Sequence, residues 1–246
     1  MPGLEGLWWR VLETLERVVS AYEKANIVMS MGTVGSLRKV AVYALCRNAS
    51  TLLDAGSGPG SIVRVVYELR SRGECNPTLV VALDPLLSML YRVGRLSRED
   101  EAGPLLERVR GVFEYLPFRN GVFNGAIASF ALRDAFDGCR ALFELARTLR
   151  HNGRLVVLEL NKPYNSRLRE LLAYLYFRLA SALAGSLVMG YWGLKLYESL
   201  PQTYRRYPYS IEYVLTLRKL GFVVVTRFML AGTTMVLVAE RVRPKP

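Results

Sequence analysis

Two β-branched runs close to the C-terminus, Phe222–Phe228 and Thr234–Glu240, are separated only by residues 229–233. A parallel connection needs a crossover of a dozen or more residues, so this pair must turn back as an antiparallel hairpin. The earlier runs are spaced differently. Thr51–Ala55, Thr78–Leu83, Arg108–Phe113, Phe123–Ser129 and Arg154–Leu160 are interleaved with helical stretches. Those stretches are Ser61–Ser71, Leu86–Leu96, Ala135–Leu149 and, ahead of the hairpin, Ser210–Leu220. Strands alternating with helices build a parallel sheet covered on both faces. The predicted class is α/β, a seven-stranded mostly parallel sheet closed at one end by the hairpin.

The chain has 246 residues, enough for one sizeable core, and shows neither internal repeat nor low-complexity linker. One domain is expected over 1–246, with N-terminal helices over 1–48 and a helical cap inserted over 164–209. In the first part, Leu4, Leu7, Trp8, Val11, Leu12, Leu15, Val18, Val19 and Tyr22 fall at helical spacing opposite Arg10, Glu13, Glu16 and Arg17. That pattern predicts one amphipathic helix docked on a core, with a second over Val34–Arg47. In the cap, Leu179–Leu194 carries no charge, but it is shorter than the roughly 20 residues that span a bilayer. Gly185, Ser186, Gly190 and Trp192 interrupt it, so it reads as a buried or interfacial cap.

Composition narrows the chemistry. With a single His and no CxxC pair, zinc and His-triad mechanisms are disfavoured, and no metal is expected. Cys46, Cys75 and Cys139 read as buried or idle thiols of a cytosolic protein, and the opening Met1-Pro2-Gly3-Leu4-Glu5 lacks a secretory pattern. The net charge of +12 points to anionic partners such as membrane surfaces or nucleic acid, or to a solvated basic surface.

The segment Leu52-Leu53-Asp54-Ala55-Gly56-Ser57-Gly58-Pro59-Gly60-Ser61 is a buried strand, a glycine turn and a helix start. Glycines let backbone approach a ligand, and a helix start offers unpaired N–H groups. The spacing is GxGxG rather than the dinucleotide GxGxxG, and an acid directly before the turn is a poor partner for pyrophosphate. Asp54 suits a ligand with a positive end, as S-adenosylmethionine has in its ammonium and sulfonium groups. Asp84, followed by Pro85, ends the second strand 24 residues after Gly60, where a carboxylate can clasp a ribose diol. Together these residues imply a cofactor loop for S-adenosylmethionine, and the strand pattern is that of class I methyltransferases.

Further motifs extend over nearly the whole chain. Tyr22-Glu23-Lys24-Ala25-Asn26 with Met29-Ser30-Met31-Gly32 resembles YDxxNxxMSxG, and Glu114 with Leu116-Pro117-Phe118 resembles AExLPF. Ser129-Phe130-Ala131-Leu132-Arg133-Asp134 resembles SFGLRN. Leu149 through Pro163 is similar to LKPGGRLLVLEFSKP, and Tyr197, Ser199, Tyr207 and Pro208 echo a late YxYLxxSIxxFP stretch. These elements resemble the UbiE/MenG-type ubiquinone and menaquinone biosynthesis C-methyltransferases. The resemblance implies methyl transfer from S-adenosylmethionine to a ring carbon of a polyprenylated quinol. It implies that Asp54, Gly56, Gly58 and Gly60, with Ala55, Ser57 and Pro59 on the same loop, line the methionine end. It further implies that Asp84 takes the ribose, that Val112 and Phe113 face adenine, and that Ser129 closes the pocket. The sequence departs from the family at Val112, at Asp134 where Asn is usual, and at His151-Asn152 where Pro-Gly is usual.

Arg133 and Asp134 are assigned to the ring hydroxyls, Arg133 stabilising a phenolate and Asp134 acting as base. The competing reading is a surface ion pair with Asp134 capping the next helix. Tyr22, Asn26, Tyr197 and Tyr207 are candidate substrate walls, as are Tyr174 and Tyr176, each also readable as a core aromatic. Lys162, Arg167, Arg169, Arg178, Lys195, Arg205 and Arg206 surround the cap and offer contact to anionic headgroups, so peripheral membrane association is a second expectation. A homodimer is compatible with the sequence. Methylation of RNA would call for a nucleic-acid module or an aromatic-studded basic stripe, and neither is found. Methylation of another small molecule, or a non-catalytic protein that keeps the pocket, would fit the same fold.

Overall fold

The run Leu52-Leu53-Asp54-Ala55 is buried on both faces, which places β1 (Thr51–Ala55) in the middle of the sheet. The computed structural model describes residues 7–46, 49–99, 104–162, 166–206 and 208–242. β1 pairs in parallel with β2 (Leu79–Asp84) on one side and β4 (Phe123–Ser129) on the other. β3 (Leu105–Arg110), β5 (Leu149–Leu160), β6 (Phe222–Met229) and β7 (Thr234–Arg241) complete the order β3-β2-β1-β4-β5-β7-β6. β7 runs antiparallel to both neighbours, so the predicted hairpin is present and inserts its second strand beside β5.

The apolar stripes of α3 (Val34–Leu45), α4 (Ser61–Ser71) and α5 (Leu87–Glu99) pack on one face around Leu37, Val63 and Val93. Those of α6 (Gly138–Thr148) and α8 (Ser210–Lys219) pack on the other around Leu145 and Tyr213. Strand β3 ends at Arg110 rather than Phe113, because residues 113–115 leave the sheet in a 3-10 turn. The predicted helix from Ala135 starts at Gly138, where the Asp137 side chain accepts the N–H groups of Cys139 and Arg140. Asp134 is therefore not the cap. It lies in a separate 3-10 turn, Leu132–Asp134.

The predicted N-terminal helix is α1 (Trp8–Val18), which ends ahead of Tyr22, and a helix the sequence reading did not include, α2 (Tyr22–Met29), follows after residues 19–21. The cap is a long helix, α7 (Arg167–Arg206), interrupted only at Gly190, whose φ of 58° is non-helical. Tyr204 and Ala173 of α7 pack with Val18 and Ala25, so the cap rests on α1 and α2. Asn152 adopts φ 61°, a left-handed position that Asn tolerates better than other side chains, which explains how it replaces the family's glycine there.

The cysteines correct the expectation of idle thiols. Cys46, at the end of α3, is bonded to Cys75, after α4, with Cα atoms 5.3 Å apart. Only Cys139 is unbridged. Cross-linking residues 29 apart in sequence restricts the unfolded chain, an effect worth roughly 3–4 kcal/mol for a loop of this size. Reduction of the purified protein is expected to lower Tm by roughly 10 °C. A Tm that stays put after thiol titration has confirmed reduction would discount the bridge as a stabiliser.

Candidate active site

The carboxyl ends of β1, β2 and β4 and the turn after β3 open into a cleft, the place where ligands bind in open α/β sheets. Its rim is built by the glycine loop. The N–H groups of Gly56 and Ser57 both donate to the Leu83 carbonyl, at 2.8 and 2.9 Å, tying the end of β1 to the end of β2. Gly56 has φ 70°, and a Cβ there would sit 2.5 Å from that of Ala131, so no other residue fits. Asp84 is fixed from two sides: Oδ2 accepts the Gly58 N–H and Oδ1 the Leu86 N–H, each at 2.9 Å. A carboxylate so held still has lone pairs to offer the cleft.

Asp54 is only 1% exposed, and neither of its oxygens has a hydrogen-bond partner. Burial pushes its carboxyl up to about 8, with a further push from Asp84 and a smaller opposing pull from Arg38. Asp84 is raised to about 6, again by burial, against the two N–H groups that favour its charge. Two buried, repelling acids at the mouth of a glycine turn form a site in want of a cation.

A second cluster lies where β4 and β5 end. Asp134 lines the cleft, and burial raises its carboxyl to about 6, Arg133 opposing the rise and Glu159 adding to it. Arg133 is not in the cleft wall. Its Nη1 donates to Glu159 Oε1 at 2.9 Å, and its Nε lies 3.7 Å from Asp134 Oδ1. Glu159 is 1% exposed, so the guanidinium is drawn inward to neutralise it. Asp134 lines the cleft, with Arg133 behind it opposing the rise of its carboxyl. Tyr22 also lines the cleft, its hydroxyl raised by burial and pulled back by Arg133, and Asn26 hydrogen-bonds to it. Phe130, between the two clusters, holds φ 52°, a strained conformation of the kind found at functional sites.

Of the residues singled out from the sequence, Gly56, Ser57, Gly58, Pro59, Asp84, Pro85, Val112, Phe113, Ser129, Tyr22 and Asp134 line the cleft. Asp54, Ala55, Gly60, Asn26 and Arg133 stand behind that wall. Tyr176 instead donates its hydroxyl to the Met29 carbonyl, fastening α7 to α2. Tyr207 lies outside the described residues, as does the side chain of Tyr197. The sequence reading missed Arg38 and the apolar wall of Trp8, Leu12 and Leu15 from α1. Arg38 had a signal, a charge within the apolar stripe Leu37, Ala41, Val42 and Leu45 of α3. Among the described residues no helix is long and apolar enough to cross a membrane.

The family described as the ubiE/COQ5 methyltransferase family matches residues 8–239. A ubiquinone/menaquinone biosynthesis C-methyltransferase of Hahella chejuensis is 32% identical over 181 residues, 72% of this chain and 70% of that protein. A 2-phytyl-1,4-naphtoquinone methyltransferase of Nostoc punctiforme is 26% identical over 228 residues, 92% of this chain and 95% of that protein. Among solved structures, an S-adenosylmethionine-dependent methyltransferase of Thermotoga maritima superposes with a TM-score of 0.60 at 19% identity, covering 94% of this chain and 99% of that one.

Proposed function

Since this chain belongs to the ubiE/COQ5 methyltransferase family, we propose that it C-methylates the ring of a polyprenylated quinol, of the demethylmenaquinol or ubiquinol-precursor type. The observation that carries this reading is a titratable cluster, Tyr22 and Asp134 backed by Arg133 and Glu159, in a cleft that Trp8, Leu12 and Leu15 also line. A ring with ionisable hydroxyls and an apolar tail matches both halves.

The enzyme is an S-adenosylmethionine-dependent methyltransferase, and its residues fit that cofactor. The unpartnered Asp54 oxygens suit the cationic end, Asp84 the ribose diol, and Val112 with Phe113 the adenine ring. The cofactor supplies a methyl group already activated as a sulfonium. The chain supplies alignment and a proton acceptor. Asp134, with a pKa of about 6, is mostly ionised at neutral pH yet basic enough to take a hydroxyl proton, directly or through water. The resulting phenolate makes the ring carbon the better nucleophile. After transfer that carbon gives up its own proton to water, which restores the aromatic ring, and Asp134 returns the hydroxyl proton to the ring oxygen, while Arg133 balances the charge on Asp134 and Glu159.

The polyprenyl tail gives the cap a role at the cytoplasmic face of a bilayer. Leu168, Leu172, Leu175, Leu179, Leu183 and Leu187 form an exposed row along α7, with exposed Arg167, Arg169 and Arg178 beside it. An apolar row flanked by cations fits an anionic lipid surface. Lys162, by contrast, is buried, 3.6 Å from Glu170 and over the Tyr209 ring.

The test is methyl transfer from labelled cofactor to a demethylmenaquinol analogue presented in anionic vesicles, with tRNA as a parallel acceptor. Label in the quinol carbon is expected. Label in tRNA alone, or in neither, would overturn the reading, and failure to pellet with the vesicles would remove the membrane surface alone.

A further inference from the structure

Helix α1 is not seated on the sheet. Among the described residues, two apolar clusters hold α3, α4, α5, α6 and α8 against the strands, and no residue of α1 belongs to either. α1 packs instead on the cap, with Leu15 and Val18 against Ala173 and Tyr204. It nevertheless walls the cleft. Trp8, Leu12 and Leu15 line it together with Asp84, Leu86 and Met89, from the end of β2 and the start of α5.

The stripe that carries Trp8 and Leu12 continues, at the same spacing of four, to Glu16. Glu16 Oε2 accepts the hydroxyl of Ser88 at 2.8 Å, in an exposed hydrogen bond. Ser88 stands in the first turn of α5, just past Asp84 and Leu86 of the cleft wall. α1 is thus seated on the cap and tied to α5 by a polar contact, with the cleft lined from both. Residues 19–21 separate it from α2, and a few residues at the end of an element are enough to absorb the swing of a lid.

We propose that α1 is a lid over the S-adenosylmethionine site and that Glu16–Ser88 is its latch, donor and product exchanging only when α1 moves away from α5. This rests on the cofactor reading above and adds the step that governs exchange. Neither Glu16 nor Ser88 lines the cleft, so their contact stabilises the closed lid to the same extent with the cleft full or empty. Such a contact cancels from affinity. It appears in the rates, because entry and exit are both slowed by the fraction of time the lid is shut. An exposed hydrogen bond to a carboxylate is worth about 3- to 10-fold in that equilibrium.

Stopped-flow binding of S-adenosylhomocysteine, followed by the fluorescence of Trp8 on α1 and reversed by excess S-adenosylmethionine, tests it. Ser88→Ala is expected to raise the association and dissociation rate constants by one common factor of about 3 to 10, with Kd within about twofold of wild type. Ser88→Thr, which keeps the hydroxyl, should leave all three within about twofold. A Ser88→Ala change in dissociation alone, with Kd moving in step, would mark a ligand contact or loosened packing and overturn the proposal. Rates that do not move would overturn it as well. If wild type binds neither donor nor product, the cofactor reading fails, and the lid with it.

Discussion

Asp54→Asn is expected to melt higher than the wild-type protein at pH 8 while binding S-adenosylmethionine about 100-fold more weakly. Both effects come from a carboxyl held near 1% exposure without a partner. In the unfolded chain such a group ionises near its usual 3.8, whereas in the folded protein it holds its proton up to about 8. Between these values the folded state binds a proton that the unfolded state has released. The stability this gives is full below about pH 4 and is lost as pH rises toward 8. A displacement of that size corresponds to roughly 5–6 kcal/mol. The neutral amide removes the penalty but needs partners of its own, so a gain of about 1–3 kcal/mol is expected. Ligand binding runs the other way. A cationic ligand needs the ionised acid, so wild-type affinity should rise from pH 6 to 8 with proton release on binding, and Asp54→Asn should lose that slope. Calorimetry in buffers of different ionisation enthalpy reads the proton count. Equal affinity and equal pH slope in the variant would remove Asp54 from the binding site.

Arg133→Ala is expected to destabilise the fold by about 3–5 kcal/mol, because Glu159 would keep a buried charge with its guanidinium partner gone. The same change should move the acid limb of the kcat profile upward from about pH 6, since Arg133 is the group that holds Asp134 down. Glu159→Gln should move that limb downward, since Glu159 pushes Asp134 up. Opposite displacements from two neighbouring positions are hard to obtain from loosened packing alone. Chemical denaturation and pH–rate profiles provide the check, and limbs that move together or not at all would free Asp134 from the role of base.

What could be read from the sequence was whatever depends on neighbours in the chain. The hairpin followed from a connection too short to cross over, and the cofactor loop from glycines after a buried strand. Distant pairings were not legible in this way. Arg133 meets Glu159 because β4 and β5 run parallel with Ser129 beside Leu158, which sets the residues just beyond the strand ends side by side. Likewise the Cys46–Cys75 bond depends on α3 and α4 packing together, which no spacing rule states, and the idle-thiol reading assumed a reducing compartment. The start of α6 was misjudged for a local reason: Asp134 and Asp137 are both good caps, and only the turn at Leu132–Asp134 decides between them.

The cystine sits just ahead of β1 and of β2, at the amino ends of those strands, whereas the cleft opens at their carboxyl ends. The bridge's share of heat tolerance is consequently set at the edge of the sheet opposite the one that handles turnover. A protein stripped of its bridge should fail sooner on heating yet, while still folded, handle donor and acceptor at an unaltered rate.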